Sequence, residues 1–216
     1  MTNARVISVN VGRGKDADWA GRLGRTAIDK RPVHRQVEVS RLGLAGDEQA
    51  DKPAHGGPEQ AVYAYAREDL DWWVEQLGRE VTSGMFGENI TTMGVDVTGA
   101  LIGEIWQLGT ATVQVTAPRI PCAVFAGWMD ERHWVKRFAD ARRPGTYLRV
   151  LREGAVAAGD PVEVLSRPGE QVTIADSMSA YYGDAELMSR LLQVEGRGES
   201  WDEIAPVVLG RAAASS

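Results

Sequence analysis

Pro118-Arg119-Ile120-Pro121-Cys122 holds the only cysteine of the chain and stands at a change of pattern. Before it, Thr110 to Thr116 alternates as a strand does. After it, an apolar run from Cys122 to roughly Ala141 reads as one helix, with Phe125, Trp128, Met129, Arg132 and Val135 on a partly apolar face. A thiol at the foot of a helix meets unpaired backbone N–H groups and the positive end of the helix dipole, both of which favour a thiolate. Pro118 and Pro121 restrict the backbone that presents it. The plainer reading of a lone cysteine is a small buried hydrophobe.

Upstream, Ala100 to Trp106 and Thr110 to Thr116 read as two strands split by the hairpin signal Leu108-Gly109. Residues 84–90, Gly-Met-Phe-Gly-Glu-Asn-Ile, form an unusual loop. There Asn89 offers both donor and acceptor groups, or serves as an ordinary turn residue. Arg67 to Leu77 is an amphipathic helix with Leu70, Trp73, Val74 and Leu77 at helical spacing and Gly78 to stop it, following a buried strand over 60–66. Residues 43–60 are too polar for a core and too rich in glycine for a helix, and a long loop of this kind is either functional or disordered. Within it, Gly56-Gly57 can bring backbone N–H groups close to an anion, and His55 can donate to it or move a proton; an ordinary turn with a hydrogen-bonded histidine is the alternative. Further strands are expected at 4–11 and near Val37 to Ser40. Lys30, beside a proline turn, is either a solvated surface lysine or a cleft cation.

Downstream, Arg142-Arg143-Pro144-Gly145 breaks the helix, and strands follow at Thr146 to Leu151 and Val162 to Leu165. A linker at Arg167-Pro168-Gly169-Glu170 divides a body, residues 1–167, from a three-helix appendage, residues 168–216. The helices are expected over Thr173 to Tyr182, over Ala185 to Val194 capped by Asp184, and from a Ser200/Glu203 capping box to near Leu209. Such a small unit must pack on the body to be stable. The expected fold is therefore mainly β with α, an α+β body whose strands close into a barrel and bring the polar loops and the thiol to one mouth.

Bulk properties narrow the function. The 216 residues carry a formal net charge of -6, which argues against nucleic acid as a partner. No apolar run approaches the ~20 residues of a membrane span, and the N-terminus has no secretory h-region. One cysteine forms no internal disulfide and suits a reducing, cytoplasmic setting. Lys30, His55, Asn89 and Arg119, with Arg143 a further candidate, would surround one soft thiolate. That combination suits a metal cofactor with an anionic organic tail, while a Cys122–His55 nucleophile and base pair is the other option.

Four ordered motifs carry a resemblance: Gly43-Leu44-Ala45-Gly46-Asp47-Glu48-Gln49-Ala50-Asp51, His55-Gly56-Gly57-Pro58, Phe86-Gly87-Glu88-Asn89-Ile90, and Pro118-Arg119-Ile120-Pro121-Cys122. Together they resemble the MOSC domain (molybdenum cofactor sulfurase C-terminal domain), in its stand-alone YiiM-like branch. The resemblance implies a MOSC-type β-barrel with peripheral helices that binds the molybdenum cofactor (molybdopterin). It implies Cys122 as metal ligand, Lys30, Gly56, Gly57, Asn89 and Arg119 as cofactor-binding residues, and His55 beside Cys122 in catalysis. It further implies reduction of N-hydroxylated purines or related compounds to amines, a detoxifying oxidoreductase activity. With one cysteine and no dinucleotide fingerprint, the electrons are expected from an external donor protein. The alternatives are a non-catalytic carrier of persulfide sulfur or of the cofactor, and a regulatory module whose helical tail meets a partner. The oligomeric state stays open, with a homodimer one option.

Overall fold

The computed structural model describes residues 4–49 and 56–214, so His55 lies outside the described residues. The elements in chain order are β1 (Arg5–Val11), β2 (Lys15–Asp16), β3 (Arg25–Thr26), β4 (Arg31–Pro32), β5 (Val37–Ser40), β6 (Gly43–Leu44), β7 (Val62–Ala66), α1 (Arg67–Leu77), β8 (Ile90–Met93), β9 (Ile105–Leu108), β10 (Ala111–Pro118), α2 (Ala123–Met129), α3 (Trp134–Ala141), β11 (Thr146–Arg152), β12 (Gly154–Val156), β13 (Val162–Ser166), α4 (Ile174–Tyr181), α5 (Ala185–Leu191) and α6 (Ser200–Ala214). Eight strands form one mixed sheet in the order β13-β9-β10-β11-β7-β8-β1-β4.

β7 and β8 are its parallel neighbours, with Ala64 opposite Ile90. Parallel strands need a crossover, and α1 supplies it. Every residue of β7 is buried, as expected of a strand covered on both faces. Leu70 and Trp73 of α1 pack inward, and the Gly78 N–H closes the helix on Val74 O at 2.9 Å with φ at 63°.

The sheet is not closed into a barrel. Its far ends approach in one isolated bridge, Arg5 with Pro161, framed by Val6 N–H to Asp160 O at 2.9 Å and Val162 N–H to Ala4 O at 3.0 Å. Pro161 has no N–H to extend a ladder there. The strand expected from Ala100 begins only at Ile105, because Leu101 makes an isolated bridge to Thr173 instead.

The single helix expected over 122–141 is two. Asp130 takes a left-handed conformation (φ 51°) and ends α2, and His133 (φ 56°) precedes α3. The break turns Trp134 and Phe138 inward and leaves Val135 exposed. They join Trp73, Phe86 and Phe125 in an aromatic cluster, with Phe125 edge-on to Phe86 at 5.4 Å and to Trp134 at 5.3 Å. This cluster fastens α2, and with it the Cys122 turn, to the 84–90 loop.

The C-terminal helices pack into the body's own core: Met188, Leu191, Val194 and Trp201 share one cluster with Val113 and Val115 of β10. Trp201 Nε1 also donates to Thr116 O at 3.0 Å. A reciprocal capping box is formed at Thr173 and Asp176, opening α4, and Asp184 caps α5 by accepting from Leu187 N–H at 3.0 Å. The third helix runs five residues past its expected end near Leu209, to Ala214. Among the described residues no helix is long and apolar enough to cross a membrane.

Candidate functional site

A cleft of about 720 Å³, open mouth included, lies where the turn before α2, the 84–90 loop and the chain around Lys30 converge. Its walls include Lys30, Asp47, Gly56, Gln60, Tyr63, Asn89, Arg119, Cys122 and Tyr147. Five of the residues singled out from sequence therefore meet in one place; Gly57 stands behind Gly56, heading the short 3-10 turn Pro58–Gln60. Arg143 is elsewhere: it pairs with Asp69 and lies over the Trp72 ring at 5.0 Å.

Cys122 sits at the N-cap of α2, partly exposed, with extended backbone (φ -125°, ψ 173°) and its carbonyl accepting from Ala126 N–H at 3.0 Å. Arg119, three residues earlier, lies over two aromatic rings, its guanidinium carbon 4.5 Å from the Phe125 centroid and 5.1 Å from that of Tyr63. Its Nε is shut off from solvent and has no hydrogen-bond partner among the described residues. No ion pair of Arg119 is formed among the described residues. Burial works against its charge, but the fields of Tyr147, Tyr63, Cys122 and Glu88 outweigh that, so the guanidinium is held more firmly protonated than usual. A buried cation without a bonded counter-ion is costly and is kept where a ligand completes it.

Lys30 is buried in the cleft wall, the second of its two sequence readings. Its Nζ meets both Asp47 oxygens, at 2.5 and 2.6 Å. Burial pushes its pKa below the ordinary lysine value, with Asp47 pulling the other way. Gly84 makes room for the backbone at Lys30: it has φ at +83°, and a Cβ there would fall 2.5 Å from Lys30 O.

Asn89 is fully engaged inside the protein. Tyr63 N–H donates to its Oδ1 at 3.1 Å, while its Nδ2 donates to Asp47 Oδ2 at 2.9 Å and to Asn10 O at 3.3 Å. Its main chain joins Tyr63 O and Asn10 N in the same gap, at 2.8 and 2.7 Å. With both amide hydrogens used, Asn89 shapes the cleft rather than reading a heterocycle edge. Glu88, fully buried beside it, takes Gly84 N–H at 2.6 Å, Phe86 N–H at 3.0 Å and the Thr91 hydroxyl at 2.9 Å, which fixes the loop. Burial raises its carboxyl pKa despite these bonds.

Asp47 and Tyr147 are among the cleft residues that the sequence did not single out. Asp47 lay inside a quoted motif, but nothing in its spacing tied it to Lys30. Tyr147 is the partner of Tyr63 across β7 and β11, with ring centroids 5.1 Å apart. Burial raises its phenol pKa, Arg119 lowers it and Cys122 adds to the rise, so it stays protonated at neutral pH. Among the described residues no three His, Cys, Asp or Glu side chains converge as a cage for a bare metal ion.

Comparison with known proteins identifies the family. The MOSC domain profile matches residues 51–163. The chain is 35% identical over 199 residues to the uncharacterized protein YflK of Bacillus subtilis, covering 91% of this chain and 90% of that one. It is 32% identical over 167 residues to a protein of Gibberella moniliformis named reductase, covering 76% of this chain and 29% of that one. The crystal structure of YiiM from Geobacillus stearothermophilus superposes with a TM-score of 0.80 at 30% identity, covering 95% of this chain and 99% of that one. The chain thus belongs to the MOSC domain family, in its YiiM-like branch.

Proposed function

We propose that the chain binds a molybdenum cofactor in this cleft and reduces N-hydroxylated purines or related compounds to amines with electrons from a separate donor protein. The observation that carries the reading is Arg119: its buried Nε lacks a partner among the described residues, and it faces the same cleft as the sole thiol. The donor set fits the group. Cys122 is a soft ligand for the metal, and the planar Arg119 fork matches a phosphate or other anionic tail. Gly56 and Gly57 bring backbone close to the mouth. When bound, the cofactor would supply the two-electron chemistry that no side chain here provides.

The remaining roles fall to the chain's own residues. Arg119 neutralises the anionic tail. Asn89 and Asp47 hold the cleft floor in shape. The protonated Tyr147 hydroxyl, in the cleft wall, would hand a proton to the departing oxygen, and the second proton is assigned to His55 from its motif alone. Each N–OH group takes up two electrons and two protons and leaves as N–H plus water. The relative named reductase supports the reaction class. A reducing, cytoplasmic compartment suits the exposed edge of the thiol.

The test is reduction of 6-N-hydroxylaminopurine by cofactor-loaded protein with a reconstituted reductant. Wild type should turn over and Cys122→Ser should lose at least 100-fold in rate. Full activity in Cys122→Ser would overturn the assignment.

A further inference from the structure

The Asp47 carboxylate is the convergence point of three distant segments. Its side chain is 4% exposed. Oδ1 accepts Gly12 N–H at 2.7 Å and Lys30 Nζ at 2.5 Å. Oδ2 accepts Lys30 Nζ at 2.6 Å and Asn89 Nδ2 at 2.9 Å. Lys30 and Arg119 also repel one another across the cleft. The remaining charged lining residues, Arg25 and Glu48, face each other at 3.9 Å, with Glu48 also taking Gly14 N–H at 2.7 Å. Arg119 is then the cation of the described lining that no carboxylate cancels.

We propose that Asp47 is a positioning residue that also sets the charge the cleft accepts. By cancelling Lys30 it matches the cleft to one negative charge at Arg119, and through Asn89 it holds the floor on which that charge rests. The inference rests on reading the cleft as an anion site. A purely structural Asp47 would affect all ligands alike, whereas a charge-setting one changes the preference between a dianion and a monoanion.

The experiment titrates sulfate and nitrate, at constant ionic strength, against protein made without cofactor, following tryptophan fluorescence. Asp47→Asn should bind sulfate at least fivefold tighter and raise the sulfate-to-nitrate affinity ratio at least threefold. Adding Lys30→Met to that variant should return the ratio to the wild-type value. Asp47→Ser, which shares only the loss of charge, should behave as Asp47→Asn and serves if the amide variant does not fold. An unchanged ratio, or equal weakening of both anions, overturns the inference. Arg119→Met separates the layers. If it abolishes wild-type anion binding while the Asp47 variants leave the ratio unchanged, only the Asp47 inference falls. If it leaves that binding intact, or if no protein binds either anion, the anion-site reading falls and takes the inference with it.

Discussion

Replacing Arg119 by methionine should cost the cofactor-free protein only a little stability. An ion-paired buried arginine normally costs ~3–5 kcal/mol when its pairing is broken, because a charge is left behind. Here no carboxylate pairs with it among the described residues, and its Nε is unsatisfied. Removing that orphan recovers about 1–3 kcal/mol. The loss is two desolvated cation–π contacts, to Phe125 at 4.5 Å and Tyr63 at 5.1 Å, about 2 kcal/mol each. Methionine restores part of this through sulfur–aromatic contact, ~0.3–1.5 kcal/mol. The balance is a loss centred on about 1 kcal/mol, or about 2–4 °C in Tm for a chain of this size. The assay is urea unfolding of both proteins from a host that makes no molybdenum cofactor. A loss of 3 kcal/mol or more would refute the reasoning, since it would show that Arg119 already has an internal counter-ion and the cleft awaits none.

Three further outcomes follow from the same geometry. Gly84→Ala should destabilise by at least ~2 kcal/mol, because φ is +83° and the new Cβ falls 2.5 Å from Lys30 O; a Tm within 2 °C of wild type would contradict this. Trp201→Ala should cost ~3–5 kcal/mol and lower one cooperative transition, since the indole is 1% exposed in the core shared with β10; a second, separate transition would show that the helical tail unfolds on its own. Glu88→Gln tests a pH slope. Burial raises the Glu88 pKa above the usual value of 4.5, so the folded chain binds its proton more tightly than the unfolded one. That contribution is fully present below pH 4.5 and is lost as pH rises through the raised value. The stability difference, wild type minus Glu88→Gln, should fall with pH across that window, and a flat or rising difference in urea midpoints would be wrong for this account.

Local signals carried much of the fold. Leu70, Trp73 and Gly78 fixed α1 because helix periodicity and a left-handed stop are written in consecutive residues. Val37–Ser40 and the Leu108-Gly109 turn were legible for the same reason. The break after Met129 was not, because Asp130 is not glycine, and the gain from burying Trp134 and Phe138 is tertiary. Barrel closure failed at one proline, Pro161, which no periodicity weighs. In the site, Gly56, Asn89, Arg119 and Cys122 came from the quoted motifs, and Lys30 joins them in the cleft from outside those motifs. Their individual duties depend on partners far away in sequence. Asp47 takes up the charge of Lys30, the gap between Tyr63 and Asn10 consumes the amide of Asn89, and Asp69 draws Arg143 away.

The account's central claim is that Cys122 and Arg119 hold a molybdenum cofactor in the cleft. Its most direct test is molybdenum and pterin content per polypeptide, measured on protein gently purified from a cofactor-producing host, beside Cys122→Ala and Arg119→Met. The account predicts close to one molybdenum and one pterin in wild type, loss of molybdenum in Cys122→Ala, and loss of both in Arg119→Met. Wild-type protein free of both, or a Cys122→Ala variant that keeps its molybdenum, would contradict it.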